Sequence, residues 1–311
     1  MMADMSISEI NRRMSSSSED FIKECEKAYD DRLERVCEDV IASLKGHGLV
    51  MLAGPSSSGK TTTANILKRK ITEKGRGAKV ISLDDFYRNQ DVSYTFEDGT
   101  VDYETVKALD VEYISHCLER LMKDGSCMLP RFNFETRRRE SYSETVLSKD
   151  EIVIVEGLHA LNPVITDPLE EYNIKKLYVS VSSRITDGEQ IVMSKRDMRL
   201  TRRLIRDYHF RASSVERTLY LWNGVRMGED RYLFPFSARA DIKIDSFHPY
   251  EVCIFKDIAA KLLDHTTENS IYYPTASALK AKLERFEAFS ESIVPANSLL
   301  REFIGNFDYN A

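Results

Sequence analysis

Residues 54 to 61 read Gly-Pro-Ser-Ser-Ser-Gly-Lys-Thr and fit the pattern Gly-x-x-x-x-Gly-Lys-Ser/Thr, which is typical of a loop that binds the phosphates of a nucleoside triphosphate. The two glycines let the backbone turn its N–H groups inward. Lys60 can reach the β- and γ-phosphates, and the Thr61 hydroxyl can ligate Mg²⁺. We predict that the triphosphate is bound by Gly54, Pro55, Ser56, Ser57, Ser58, Gly59, Lys60, Thr61 and Thr62.

Acidic residues follow two apolar segments, 79–83 and 151–155, so we expect them at the carboxyl edge of a sheet beside the loop. Asp84 is predicted to take the proton from an attacking hydroxyl or to help hold Mg²⁺ through water. Glu156 is predicted to orient the metal and its waters. A helix N-cap is an equal alternative for Asp85, and a cap for the next helix is the alternative for Glu156.

The stretch 196–211 concentrates arginines in an otherwise acidic chain. One helical face carries Arg199, Arg202, Arg203 and Arg206. Together with Arg211, these guanidinium groups are suited to cover a triphosphate whose charge shifts during transfer. A solvated helix face paired with Asp197 and Asp207 is the alternative for any single arginine, and RNA binding is a weaker one because the basic surface is small.

Two further segments indicate a pocket for an acceptor molecule rather than for phosphate. The first is Asp102-Tyr103-Glu104, and the second runs through 130–139 with Phe132, Phe134 and three successive arginines, 137–139. Aromatic side chains can stack a planar base and acids can hold sugar hydroxyls. The alternating Phe132 and Phe134 are more often typical of the core of a strand.

Short apolar segments alternate with helical stretches, which favours an α/β fold with a parallel sheet covered by helices. Strands are predicted at 49–53, 79–83, 151–155, 176–181 and 241–244. We divide the chain into an N-terminal helical extension, the main domain with its lid, and a C-terminal helical extension. Their limits are 1–47, 48–265 with the lid at about 196–215, and 266–311.

The N-terminal extension is expected to begin its helix at the capping sequence 16–19, with 1–15 disordered. Its apolar face is expected to pack on the main domain or on a partner chain. In the C-terminal extension, helical spacing from residue 274 and again at 299–305 predicts helices packed on the core.

The net charge of −6 argues against a general nucleic-acid or anionic-membrane binder. The five cysteines form no Cys-x-x-Cys pair, which favours a reducing compartment over a disulfide framework or zinc site. No stretch is apolar enough to span a membrane. We therefore expect a cytoplasmic protein with a small-molecule partner, no nucleic acid and no membrane, and the sequence allows a homo-oligomer.

Five motifs resemble the uridine kinase and phosphoribulokinase family of P-loop kinases in order and spacing. They are the phosphate loop, Asp84-x-Phe86-Tyr87, Pro130-x-Phe132-x-Phe134, Val155-Glu156-Gly157 and the run from Arg199 to Arg211. The likeness covers residues 20–305 and is greatest to uridine kinase-like nucleoside kinases often carried behind a TGS domain, through 156–163, 234–236 and 301–305. We expect no TGS domain here, because too few residues precede the loop.

The resemblance implies the three-layer sandwich of P-loop kinases, built on a five-stranded parallel sheet, with ATP as donor and Mg²⁺ as cofactor. It implies that Asp84 is the base for a nucleoside 5′-hydroxyl, with Lys60, Arg206 and Arg211 completing the catalytic set. The implied metal site comprises Thr61, Asp84 and Glu156. The implied substrate site comprises Tyr103, Glu104, Phe132, Phe134, Arg137 and Arg199.

Three positions depart from the family pattern of true uridine-cytidine kinases. Phe132 stands where they have Tyr, Arg137 where they have the His that reads the pyrimidine, and Ser213 where a second lid Arg is usual. We expect phosphoryl transfer from ATP to a primary hydroxyl, foremost a nucleoside 5′-hydroxyl. A kinase of the same fold acting on a sugar phosphate or pantothenate-like acid is the first alternative, and a non-catalytic nucleotide-gated binding protein is the second.

Overall fold

The computed structural model describes residues 4–89 and 94–308. Its strands are β1 (Met5–Ser6), β2 (Gly48–Ala53), β3 (Ala78–Ser82), β4 (Ser126–Asn133), β5 (Arg138–Val146), β6 (Ile152–Glu156), β7 (Ile174–Ser180), β8 (Ile185–Asp187), β9 (Gln190–Met193) and β10 (Ile242–Asp245). Its α-helices are α1 (Ile7–Ser43), α2 (Lys60–Glu73), α3 (Val111–Asp124), α4 (Pro163–Thr166), α5 (Lys195–Arg211), α6 (Val215–Tyr232), α7 (Glu251–Leu263), α8 (Tyr273–Leu283) and α9 (Arg301–Ile304).

The central sheet has five parallel strands in the order β10-β7-β2-β6-β3. Strands β2 and β6 are buried along their whole length, as expected where helices cover both faces. All five predicted strands are confirmed, and their bounds differ from the predicted ones by at most two residues. Because the strands run in one direction, the segments that follow β2, β3 and β6 meet at one edge of the sheet.

Apolar cores lie on both faces of this sheet, and alternate residues of β2 divide between them. Val50 and Leu52 enter the core that also holds residues of α1, α2, α5 and α7, whereas Leu49 and Met51 enter the core that holds residues of α3. The period of two follows from the pleat of the strand. The predicted α/β sandwich of three layers is therefore confirmed.

The prediction that residues 1–15 are disordered is wrong for residues 4–15, whereas residues 1–3 lie outside the described residues. Strand β1 pairs in parallel with β8, and the Ser6 side chain caps α1 by accepting from the Glu9 N–H at 3.2 Å. Ile10 and Met14 are buried in the core. The predicted capping sequence at 16–19 instead coincides with a kink, where Ser17 has non-helical backbone angles. Tertiary burial thus extends the helix beyond its local start signal.

The predicted C-terminal helices are confirmed as α8 and α9. Leu279 and Leu283 of α8 and Phe303 of α9 are buried in the same core as α1. Across 4–89 and 94–308, no helix combines the length and the apolar character that a membrane crossing requires.

Strands β4 and β5 form a separate antiparallel hairpin, which the sequence patterns did not predict. Asp85 attaches this hairpin to the sheet edge, because its carboxylate accepts from the Phe132 N–H at 3.2 Å and lies 3.5 Å from the Arg131 guanidinium. The proposed N-cap role of Asp85 is wrong, since Ser82 caps the short 3₁₀-helix Leu83–Phe86.

Candidate active site

The phosphate loop joins β2 to α2 through two residues in the left-handed region, Ser57 with φ 58° and Gly59 with φ 83°. Gly59 adopts this conformation without the strain that a side chain would bring. At Gly54, an added Cβ would lie 2.2 Å from the Val179 carbonyl oxygen, so only glycine lets the loop approach β7 this closely.

The loop surrounds a space that suits an anion. The hydroxyls of Ser57 and Ser58 are buried and have no hydrogen-bond partner in the described protein. Gly59 supplies no side-chain cap to α2, which leaves N–H groups of the first turn available. Lys60 donates to the Pro55 carbonyl oxygen at 3.1 Å, which holds its ammonium group beside the loop. These features fit the phosphates of a nucleotide.

The end of β6 brings Glu156 next to the loop. Its carboxylate accepts from the Ser82 hydroxyl at 2.9 Å and from the Thr61 hydroxyl at 3.3 Å. Desolvation, followed by the charge of Asp84, raises the pKa of Glu156 to about 7. Such an acid is costly to ionise without a cation nearby, which gives it a reason to sit at a metal site rather than at a helix cap.

The oxygens of Thr61, Asp84 and Glu156 are ligand types that Mg²⁺ prefers when it is shared between a protein and phosphates. Across 4–89 and 94–308, no three or more His, Cys, Asp and Glu side chains gather into an all-protein metal cage. Two carboxylates with a hydroxyl are nevertheless enough for Mg²⁺, because it keeps several waters and takes phosphate oxygens as further ligands. The residues present therefore fit this ion.

Asp84 follows β3 and projects into the open cleft beside the loop, where its side chain remains solvent-accessible. The enclosing walls desolvate the carboxylate and raise its pKa, while the positive charges of Lys60, Arg211 and Arg206 act in the opposite direction. A carboxylate in this position can accept a proton from a hydroxyl held above the loop.

The cleft has a volume of about 640 Å³, which is enough for two small substrates. Besides the loop residues, it is lined by Tyr87, Tyr103, Glu104, Phe134 and Arg137. Desolvation is the largest cause that raises the pKa of Glu104 to about 7. An acid and three aromatic rings thus face the space where an acceptor would lie.

The C-terminal half of α5 carries Arg206 and Arg211 into the cleft. The buried carboxylate of Asp207 lies between them, 2.7 Å from Arg206 and 3.6 Å from Arg211, and Arg203 is 3.2 Å from its second oxygen. Asp207 therefore holds three guanidinium groups beside the loop without filling the cleft itself.

The model of the Phosphoribulokinase / Uridine kinase family matches residues 49–252, which contain the loop, both carboxylates and the arginines of α5. The chain belongs to this family. Its members are kinases, and the prediction of an ATP-dependent phosphotransferase with an alcohol acceptor is therefore confirmed. The non-catalytic alternative is not supported.

Relatives in this family resemble the chain at modest identity. A uridine kinase of Bacillus pumilus is 29% identical over 197 residues, which are 63% of this chain and 85% of that protein. A uridine kinase of Macrococcus caseolyticus is 30% identical over 200 residues, 63% of this chain and 86% of its own length. Uridine-cytidine kinase A of Dictyostelium discoideum is 26% identical over 66% of this chain and 37% of its own length.

Among solved structures, a putative fructose transport system kinase from Silicibacter sp. TM1040 superposes with a TM-score of 0.51 at 19% identity. The match covers 68% of this chain and 98% of that structure. At this identity the likeness concerns the fold alone.

Arg199 does not reach the cleft, in contrast to its predicted contact with substrate. It is almost fully buried and makes a two-pronged ion pair with Glu229 of α6, at 2.7 and 2.8 Å. It also donates to the Ser56 carbonyl oxygen at 3.0 Å, while Glu229 accepts from the Ser56 N–H at 2.8 Å. In this family member, Arg199 fixes the loop from behind.

Phe132 also lies outside the cleft, because its ring is buried against Tyr87 with centroids 5.6 Å apart. Phe134, two residues on, is 62% exposed and lines the cleft. Strand β4 ends at Asn133, so Phe134 lies in the turn that follows, with its ring centroid 5.1 Å from that of Phe132. The strand-core alternative therefore describes Phe132, and the pocket prediction describes Phe134.

The remaining predicted residues line the cleft, apart from Gly54 and Pro55 at the back of the loop and Arg202, which is fully buried and paired with Glu251 at 2.7 Å. Sequence reasoning missed residues from other elements, namely Leu158, Phe210, Arg217, Leu221, Val225 and Glu302. Three of these lie on α6 at spacings of four, which is a helical signal, but the same pattern is typical of a core face. No local sequence pattern marks Glu302 as a cleft residue, apart from the resemblance of 301–305 to the family motif.

Proposed function

We propose that this family member transfers the γ-phosphoryl group of ATP to the 5′-hydroxyl of a nucleoside in a Mg²⁺-dependent reaction. One observation carries the proposal: the Asp84 carboxylate lines the same cleft as the phosphate loop, three aromatic rings and the carboxyl of Glu104. The uridine kinases among the relatives support the acceptor class.

In this proposal Asp84 accepts the proton of the acceptor hydroxyl as its oxygen attacks the γ-phosphorus. The raised pKa of the carboxyl makes it a stronger base, and the neighbouring Lys60 keeps a share of it ionised. Glu104 accepts hydrogen bonds from the ribose hydroxyls, and Tyr103 and Phe134 flank the base. These contacts fix the 5′-hydroxyl in line with the leaving ADP.

Thr61, Asp84 and Glu156 would hold Mg²⁺, which when bound neutralises charge on the β- and γ-phosphates. Lys60 donates to phosphate oxygens, a task for which its ammonium group already lies beside the loop. Arg206 and Arg211 stabilise negative charge on the transferred group from the opposite wall. The Phe210 ring beside them helps exclude water, which would otherwise replace the acceptor.

A second candidate acceptor is an alcohol that carries phosphate or carboxylate, as in the sugar phosphate or pantothenate-like alternative. Arg137 and Arg217 favour it, because both line the cleft and neither has an ion-pair partner within the described residues. Two unpaired guanidinium groups in an acceptor pocket would bind such an anion in bidentate fashion.

ADP formation with MgATP, measured against a panel of ribonucleosides, sugar phosphates and hydroxy acids, tests both candidates. We expect turnover with at least one ribonucleoside, and a loss of roughly 10²- to 10⁴-fold in kcat for Asp84→Asn with little change in ATP binding. Asp124→Asn, on the exposed end of α3, is the matched control and should keep full activity.

Two outcomes would reject the nucleoside assignment. One is the absence of nucleoside-dependent turnover by a protein that still binds ATP. The other is turnover confined to anionic alcohols and lost in Arg137→Ala, which would establish the second candidate. Near wild-type turnover by Asp84→Asn would remove Asp84 from its role as base.

A further inference from the structure

The segment 299–305 lies outside the residues matched by the family model, yet it contacts the phosphate loop directly. An added Cβ on Gly59 would lie 2.5 Å from the Leu299 side chain, so Leu299 packs against the loop where α2 begins. Leu299 itself is completely buried. The C-terminal segment is therefore a wall of the nucleotide site.

Glu302 is the polar residue that this segment brings to the site. Its carboxylate accepts from the Thr62 hydroxyl at 2.5 Å, and its partly exposed side chain lines the cleft. The neighbouring Thr61 hydroxyl points to Glu156 instead. Successive residues of a helix are about 100° apart around its axis, so the two hydroxyls mark two different sides of the loop.

These two sides correspond to the two ends of the donor nucleotide. Asp84, Glu156 and the acceptor pocket define the side on which the γ-phosphate must lie. In-line transfer requires the acceptor and the departing ADP to be on opposite sides of the transferred phosphorus. The nucleoside part of the donor therefore leaves the loop away from Asp84, and the side marked by Thr62 and Glu302 is available to it.

The charge of Glu302 restricts what it can bind there. A carboxylate repels phosphate oxygens, but it is a strong acceptor for hydroxyl groups, as in the acidic residues that bind ribose in dinucleotide sites. Its backbone is fixed on both sides, because Arg202 lies 5.1 Å over the Phe303 ring and Arg301 donates to the Pro295 carbonyl oxygen at 3.3 Å. These contacts therefore hold the Glu302 carboxylate in one position beside the loop.

We propose that Glu302 is a donor-binding residue that accepts hydrogen bonds from the ribose hydroxyls of ATP. The segment 299–305 would then supply sugar recognition to a loop that by itself recognises only phosphates. The inference relies on ATP as the donor, but not on the identity of the acceptor.

Equilibrium binding of ADP, 2′-deoxy-ADP and 3′-deoxy-ADP in the presence of Mg²⁺, measured by calorimetry without an acceptor, tests this proposal. We expect the wild type to bind ADP about tenfold more tightly than at least one deoxy analogue, since a hydrogen bond to a charged group is lost. Glu302→Ala should bind all three alike, with ADP weakened about tenfold. Glu268→Gln, an exposed acid in the same extension, should match the wild type.

The Thr62→Val variant distinguishes recognition of the ribose from a change in the conformation of the phosphate loop. It removes the hydroxyl that Glu302 accepts from, but it should retain discrimination between ADP and the deoxy analogue. Thermal unfolding of each variant establishes that it is folded. The proposal is overturned if the wild type does not discriminate, or if Glu302→Ala weakens all three ligands by the same factor. Because no acceptor is present, neither result bears on the nucleoside assignment.

Discussion

At the scale of single residues, the cleft brings together carboxylic acids whose simultaneous ionisation is energetically unfavourable. Burial and mutual repulsion raise the pKa of Glu104 and Glu156 to about 7 and also raise the pKa of Asp84. The charges of Lys60 and the α5 arginines offset only part of this cost. The ionised carboxylates therefore need bound cations or hydroxyl donors to stabilise them. We accordingly expect acceptor binding to depend on pH.

Glu104→Gln isolates one of these acids. In the wild type, kcat/KM for the acceptor should rise with pH as Glu104 loses its proton near pH 7, because only the carboxylate accepts two sugar hydroxyls. The variant should lose this part of the profile and fall about tenfold at pH 8, with the KM for ATP unchanged. An unaltered acceptor profile in the variant would place Glu104 outside the acceptor site.

The same substitution should stabilise the free protein at high pH. A raised pKa means that the folded state holds a proton the unfolded chain has released, so stability is lost as pH rises from about 4.5 through 7. Glu104→Gln removes that loss and should raise the free energy of unfolding at pH 8 by up to about 3 kcal/mol, with no gain at pH 4. Urea unfolding at both pH values, without ligands, measures the difference.

At the scale of elements, α5 is fixed at one end and open at the other. Arg199 and Arg202 attach its first turns to the loop and to the buried Glu229 and Glu251. Its last two turns carry Arg206 and Arg211, which pair with Asp207, and the helix is capped by Ala212 in the left-handed region. We propose that any closure over the donor involves the last two turns of α5 and the connection to α6.

Asp207→Asn should disorganise the arginines at the open end of α5. The amide keeps the shape but removes the charge that balances Arg203, Arg206 and Arg211, so we expect kcat to fall about tenfold and stability by about 2 kcal/mol. Asp230→Asn is the matched control, because Asp230 pairs with Arg196 at the exposed surface and such pairs contribute little. Equal kinetics for the two variants would contradict a positioning role for Asp207.

The sequence predicted the parts of this protein that depend on local patterns. The loop, the five parallel strands and the acids after β3 and β6 each follow from short motifs and the period of buried strands. The prediction for Arg199 was wrong because its partner, Glu229, lies on another helix, and no local pattern links the two residues. The hairpin of β4 and β5 was missed for a related reason: its outward face is polar and its attachment depends on Asp85.

At the scale of the whole molecule, both terminal extensions converge on the phosphate loop. The Tyr29 hydroxyl of α1 lies 2.8 Å from that of Thr63 on α2, and Ser298 donates to Glu26 of α1 at 2.7 Å. Helix α8 contributes to the same core as these elements. We propose that the limits predicted at 47 and 265 separate extensions of one folding unit rather than independent domains.

Leu299→Ala tests whether the C-terminal extension stabilises the fold and the loop together. Leu299 is fully buried against Gly59, so its truncation leaves a cavity beside the loop, and we expect a loss of about 3 kcal/mol in the free energy of unfolding with weaker ADP binding. Ile271→Ala, which removes a side chain that is 83% exposed, should change stability by less than about 0.5 kcal/mol. Denaturant unfolding should remain a single transition in both variants. Two transitions, or equal midpoints for the two variants, would mean that the extension folds apart from the kinase core, because a shared core transmits the loss at Leu299 to the whole sheet.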